Sequence, residues 1–162
     1  YYENTGRAMV HVSWEFVPPK SWTGEYYDNC WLQGPPRLTR HDVGIDFDWG
    51  SGSPAPGIPK DGFSVRWIRT ASFREGLYRF TTTTDDGVRL YVDDRLVISS
   101  WWPMRGTRTG YLTVTEGNHT VRVEYFERTQ AAKASISWQR IAAAPAAVSL
   151  SMSRLLIPAM VE

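Results

Sequence analysis

Cysteine is almost missing. Cys30 is the only one in 162 residues, so no internal disulfide and no cysteine-built zinc site can brace the chain. Net charge is nearly absent as well: 18 Lys and Arg stand against 17 Asp and Glu, leaving +1 at pH 7. A chain so balanced presents no strong field to a nucleic-acid backbone or an anionic lipid surface, and neither is expected as a partner. No apolar run is long enough to cross a bilayer, so no membrane insertion is expected. The three histidines, His11, His41 and His119, stand apart at spacings that suit no metal. There is no Gly-x-Ser-x-Gly, no phosphate-cradling glycine loop and no Cys/His pair. No stretch of a dozen residues keeps an apolar 3.6-residue period, which argues against a helical fold. Tyr1-Tyr-Glu-Asn has neither the charged nor the apolar region of a secretory leader and no initiator Met. It reads as a processed product or a piece of something longer.

Tryptophan, tyrosine and period-2 alternation are plentiful. Hydrophobic residues make up 42% and charged residues 22%, an ordinary globular balance, with 8 Trp and 8 Tyr that suit half-buried pleated faces. Phe63, Val65 and Trp67 alternate with Ser64 and Arg66, and Val88, Leu90 and Val92 with Arg89 and Tyr91. Val121, Val123 and Tyr125 alternate with Arg122 and Glu124, and Ile136 and Trp138 flank Ser137. Tyr78-Arg-Phe80 runs into four threonines. Turn signals separate these runs at Arg74–Gly76, Asp85–Gly87, Asp93-Asp94 and Glu116–Asn118. The pattern predicts an all-β, antiparallel sandwich or barrel. A Gly/Pro loop with no strand pattern fills residues 50–62.

The ends are stranger. Residues 1–14 align with 125–138 at an offset of 124, with six identities: Tyr1, Glu3, Thr5, Ala8, Ser13 and Trp14 match Tyr125, Glu127, Thr129, Ala132, Ser137 and Trp138. The opening segment, residues 1–16, therefore reads as the last hairpin of a preceding copy of the domain, with 17–21 as a linker. At the other end, 142–147 is an Ala/Pro linker and 148–162 an apolar tail, in which Val148, Leu150 and Met152 alternate with serines. Unpaired strands expose backbone groups and apolar surface. Both segments are expected to pair with a sheet, either the chain's own or that of a neighbouring copy, through Tyr1–Phe16 and Val148–Ile157.

Residues 22–141 resemble the PA14 domain, a β-sandwich module of bacterial surface proteins, glycosidases and yeast adhesins. The resemblance rests on Gly24-Glu-Tyr-Tyr-Asp28, Ile45-Asp-Phe-Asp-Trp-Gly50 and Phe63-Ser-Val-Arg-Trp67. It continues through Gly76–Asp93, Leu96–Ile98 with Trp101, and Gly117–Phe126. It implies a PA14-like antiparallel β-sandwich, with extra strand-like segments at both ends, and constrains function loosely.

Asp85 and Asp86 are the leading site residues, because adjacent carboxylates at a loop tip offer hard oxygens to Ca²⁺. The resemblance implies more: in sugar-binding members of the family the corresponding pair is joined by a cis peptide and holds a calcium that binds vicinal sugar hydroxyls. The plain alternative is a Thr-Asp-Asp-Gly turn whose carboxylates accept backbone N–H groups. Trp101, Trp102 and Arg105 form an aromatic-basic loop; either one indole is in the core and the other exposed, to take a sugar ring or a neighbouring subunit, or both cover the end of the sandwich. Asp46 and Asp48 share a strand face, better read as partners for arginines or as caps of the loop leading to Trp49 than as a catalytic pair. Cys30 reads as a small core residue.

These residues lead to an extracellular or cell-surface module that is not an enzyme. It recognises carbohydrate or a cell-surface glycan, with Ca²⁺ as the cofactor the resemblance implies. The alternative is a self-assembling unit of a surface fibre or tandem array, joined by strand exchange with neighbouring copies.

Overall fold

A computed structural model describes residues 21–143. The segments 1–16 and 148–162, with their expected strand pairing, lie outside the described residues. Ten strands follow one another: β1 (Trp22–Tyr27), β2 (Leu38–Asp42), β3 (Asp46–Gly50), β4 (Phe63–Phe73), β5 (Gly76–Thr84), β6 (Val88–Val92), β7 (Arg95–Ser100), β8 (Gly106–Val114), β9 (Gly117–Glu127) and β10 (Ala132–Ala143). They form two antiparallel sheets, of six strands in the order β2-β1-β4-β9-β6-β7 and of four in the order β3-β10-β5-β8. The expected sandwich is what forms, and the described residues contain no helix.

The alternation read from the sequence decides which side chains meet between the sheets. Phe63, Val65 and Trp67 of β4, Val88, Leu90 and Val92 of β6, and Val121, Val123 and Tyr125 of β9 are all buried. From the smaller sheet, Tyr78 and Phe80 of β5 and Ala132 and Ala134 of β10 face them. Aromatic rings carry much of this layer: Phe47 stacks on both Trp49 and Trp67, and Phe73 packs against Trp138, Tyr78 and Phe80. Such rings bury large areas and favour these offset and edge-on geometries. A deeply placed carboxylate near them, Asp42, accepts from Tyr26 Oη (2.7 Å), Trp67 Nε1 (2.8 Å) and Arg40 Nε (2.7 Å), so its burial leaves nothing unmet.

The outer face of the larger sheet is ordered too. Cross-strand partners place Thr39, Glu25, Arg66, Glu124, Arg89 and Ser99 in one row across all six strands. Glu124, almost fully buried, receives Arg89 at 2.9 Å, Arg66 at 3.5 Å and Arg122 at 2.5 Å. These guanidiniums also lie over Trp101, Tyr27 and Tyr91.

Four local expectations meet the structure with different outcomes. Asp93 and Asp94 do form the β6–β7 turn, both at positive φ (47° and 60°). Asp48 pairs with Lys133 Nζ at 3.2 Å and not with an arginine, while Asp46 points into solvent. β10 runs on through Ala142 and Ala143, opposite Leu77 and Gly76, two residues into the stretch read as a linker. The Gly/Pro loop has no strand, yet it sends Ile58 into the core.

Candidate functional site

All five residues singled out from the sequence lie at one end of the sandwich. Asp85, Asp86 and Gly87 connect β5 to β6, and Trp101–Arg105 connect β7 to β8. Gly87 fits here because a Cβ at that position would run into the Phe126 ring. This close approach lets Gly87 O accept Phe126 N–H at 3.0 Å, and Phe126 in turn packs edge-on against Trp101, with ring centroids 4.8 Å apart. The connection between β7 and β8 is held from below: Arg108 donates to Ser100 Oγ (3.0 Å) and Met104 O (2.8 Å). Trp101 is half-buried, under the guanidinium of Arg89 at 3.8 Å, while Trp102 is 71% exposed. Trp102 is the exposed indole as expected, but Trp101 does not enter the core: it is half-buried between Arg89 and Phe126.

A third indole joins them. Trp31, 68% exposed, comes from the β1–β2 connection. That connection is a tight turn organised by Asn29, whose Oδ1 accepts from Trp31 N and Gln33 N while its Nδ2 donates to Gln33 O. Ser64 of β4 anchors the same turn, donating to Asn29 O (2.6 Å) and accepting from Leu32 N (3.1 Å). Trp31, Trp101, Trp102, Pro103 and Phe126, with Cys30 and Arg128, line a cavity of about 310 Å³. Cys30 is only partly buried; its thiol donates to Glu127 O at 3.3 Å. Burial, with Asp86 and Glu127 nearby, pushes that thiol up, which makes it a poor nucleophile.

Beside the cavity lie three carboxylates. Asp85 pairs with Arg105 at 3.4 Å. Asp86 is buried; its Oδ2 accepts Arg128 N–H at 2.7 Å and its carbonyl accepts from Thr84 Oγ1 at 2.7 Å. Glu127 was not among the residues picked out by sequence, because its alternation position reads as core. It is fully buried, with Oε2 accepting from Tyr125 Oη (2.7 Å) and Oε1 without a partner. Burial, reinforced by the charges of Asp86 and Asp85, pushes Glu127 up to about 8 against the pull of the Tyr125 hydrogen bond.

The Asp85–Asp86 peptide is trans, in contrast to the cis bond that the resemblance implies. Among the described residues no three His, Cys, Asp or Glu side chains converge as a metal-ligand set. One observation bears on a hard cation: Glu127 Oε1 is a buried carboxyl oxygen with no hydrogen-bond partner, next to Asp86, where a cation would have to take the place of the proton that burial favours. A calcium ion would be held by Asp85 and Asp86, backed by Glu127, in competition with Arg105.

A family model described as PA14 domain matches residues 20–149. Anti-sigma-I factor RsgI3 of Acetivibrio thermocellus is 39% identical over 118 residues, covering 71% of this chain and 18% of that protein. The chain thus spans less than a fifth of that relative's length. Among solved structures, an anti-sigma factor domain-containing protein from Clostridium clariflavum matches with a TM-score of 0.69 at 33% identity, over 74% of this chain and 41% of that one. The PA14 sugar-binding domain from RTX adhesin matches in fold, with a TM-score of 0.58 at 21% identity, over 75% of this chain and 90% of that one. The family match spans most of the chain and the two-sheet architecture agrees with it, so the chain belongs to the PA14 domain family.

Proposed function

We propose that this chain is a carbohydrate-recognition module, without catalysis of its own, that works outside the cell as one part of a longer protein. One observation carries the reading: Trp31 and Trp102 hold indole planes in solvent on either side of a cavity beside paired carboxylates. Exposed apolar surface of this kind marks a place where something docks, and a flat indole suits the apolar face of a sugar ring. Arg128, Asp85 and Asp86 supply donors and acceptors for hydroxyl groups at the rim. The name of the adhesin domain with the same fold is in keeping with this reading. The match to a small part of an anti-sigma factor supports a sensing role for the module within a larger chain.

Calcium belongs to the proposal as the ion that would offer vicinal hydroxyls a hard cation at Asp85 and Asp86. The chain's own part is to release Arg105 from Asp85 and to keep the indoles in place. A glycan array with and without EGTA, followed by titration calorimetry, tests both. Trp102→Ala is expected to weaken the captured glycan about tenfold, equivalent to about 1.4 kcal/mol. Arg105→Ala is expected to tighten calcium. An array on which no glycan is retained would overturn the recognition reading. Blank calcium traces for both wild type and Arg105→Ala would remove the ion from it.

A further inference from the structure

The cavity between Trp31 and Trp102 is poor in one kind of group. Its walls are the three indoles, Pro103 and Phe126, and the remaining lining residues are Cys30 and Arg128. Indole N–H groups and a guanidinium donate hydrogen bonds and cannot accept them. The Cys30 thiol is already engaged with Glu127 O at 3.3 Å. No lining side chain among the described residues therefore offers a carboxylate, amide or hydroxyl oxygen. The neighbouring carboxylates do not fill the gap. Asp86 Oδ2 accepts Arg128 N–H, Asp85 is paired with Arg105, and Glu127 is fully buried.

Such a lining suits a bare sugar ring poorly. Each sugar hydroxyl brings a proton of its own as well as lone pairs. Taken from water into this cavity, it would find donors and no side-chain acceptor, and a buried donor left unpaired is costly. The occupant that fits has a flat apolar body, accepts hydrogen bonds and donates none. An aromatic ring bearing an ester carbonyl meets all three conditions. The ring would pack among the indoles in the offset or edge-on geometries that aromatic pairs prefer. Its carbonyl would accept from the Arg128 guanidinium, which belongs to an exposed side chain on the cavity wall. Size agrees: about 310 Å³ lies near the lower bound of small-molecule sites, room for one such group and not for a length of glycan chain.

We propose that the cavity takes an aromatic acyl substituent of the glycan, an ester-linked ring, while the sugar that carries it lies outside against Trp31, Trp102 and the Asp85-Asp86 turn. The inference rests on the glycan reading above and adds to it the decoration by which one glycan is told from another. Position supports it, because the cavity opens between the two exposed indoles that the sugar would meet. One ligand then spans rim and interior, with its hydroxyls at the wet rim and its apolar part inside.

Two measurements on the full chain test this. In ¹⁵N-labelled protein, methyl benzoate is expected to shift the indole N–H resonances of Trp31, Trp101 and Trp102, assigned through Trp31→Phe, Trp101→Phe and Trp102→Phe. Methyl glucoside at the same concentration is expected to leave Trp101 unmoved. Arg128→Met keeps the backbone N–H that Asp86 accepts, and is expected to weaken methyl benzoate about tenfold. Indoles unmoved by methyl benzoate, or an Arg128→Met protein that binds it as wild type does, overturn the proposal. On a glycan array, glycans bearing aromatic acyl esters are expected to be retained at least about tenfold better than the same glycans after mild alkali has removed the ester. Equal retention of the two forms overturns this inference and leaves the glycan reading standing, whereas retention of neither overturns both.

Discussion

A methyl group at Gly87 would land on the Phe126 ring. Because Phe126 also supports Trp101, the consequence extends from a turn to the wall of the aromatic cavity. Gly87→Ala is expected to cost about 1–3 kcal/mol through forced repacking, measured by urea unfolding, and to weaken glycan capture at the same time. Glu124 is a second residue whose environment sets its value. Its carboxylate is almost fully buried among Arg66, Arg89 and Arg122, so neutralising it removes the carboxylate partner of Arg89 and one of the two held by each of Arg66 and Arg122, which keep Glu25 and Asp94. Glu124→Gln is therefore expected to cost on the order of 3 kcal/mol, far above the yield of an exposed pair. A midpoint shift within the error of wild type would show that the arginines find water instead.

The β6–β7 hairpin turn is tied to the start of β9 through one carboxylate. Asp93, in the β6–β7 turn, accepts from His119 Nδ1 at 2.5 Å and from Thr120 N at 2.9 Å, both at the start of β9. The His119 hydrogen bond, then that of Thr120, holds the Asp93 carboxyl below its usual range. A carboxyl lowered in the folded state contributes stability that is complete above its unfolded value, roughly 3.9. That contribution is lost as pH falls through the folded value. Asp93→Asn, which keeps a side chain tolerant of positive φ, should lower stability at pH 7 and flatten its decline between about pH 5 and 2. Parallel pH curves for the two proteins would count against the clamp. The turn itself was legible in the sequence, since two aspartates between alternating runs have few other uses. The clamp was not, because His119 lies 26 residues away and nothing local announces the pairing.

Most of the pairing in this sandwich is between strands distant in sequence, β4 with β9 and β5 with β10 above all, while β1–β2 and β6–β7 are local. Refolding from urea is expected on the millisecond-to-second scale that non-local β topologies share; microsecond relaxation in a stopped-flow or temperature-jump trace would contradict the topology. The same non-locality explains what could be read beforehand. Alternation along β4, β6 and β9 needs only the chain's own order, so fold class, core faces and the Asp85-Asp86 and Trp101-Trp102 connections were visible. Trp31, Phe126, Glu127 and Arg128 joined the site only through tertiary placement, and Trp31 depends on a turn whose organiser, Asn29, is one asparagine among several.

The row of charges across the six-stranded sheet has a bearing on assembly. Sliding one strand by a single residue is prevented by the core, since every apolar side chain would turn outward. Sliding by two is not, because alternation is preserved. If β9 moved two residues one way, Arg122 would replace Glu124 between Arg66 and Arg89, placing three cations side by side. Moved the other way, Phe126 would leave both arginines facing an uncharged ring. The buried glutamate thus acts as an index mark, fixing the one alignment of the central strands that hydrophobicity alone leaves ambiguous.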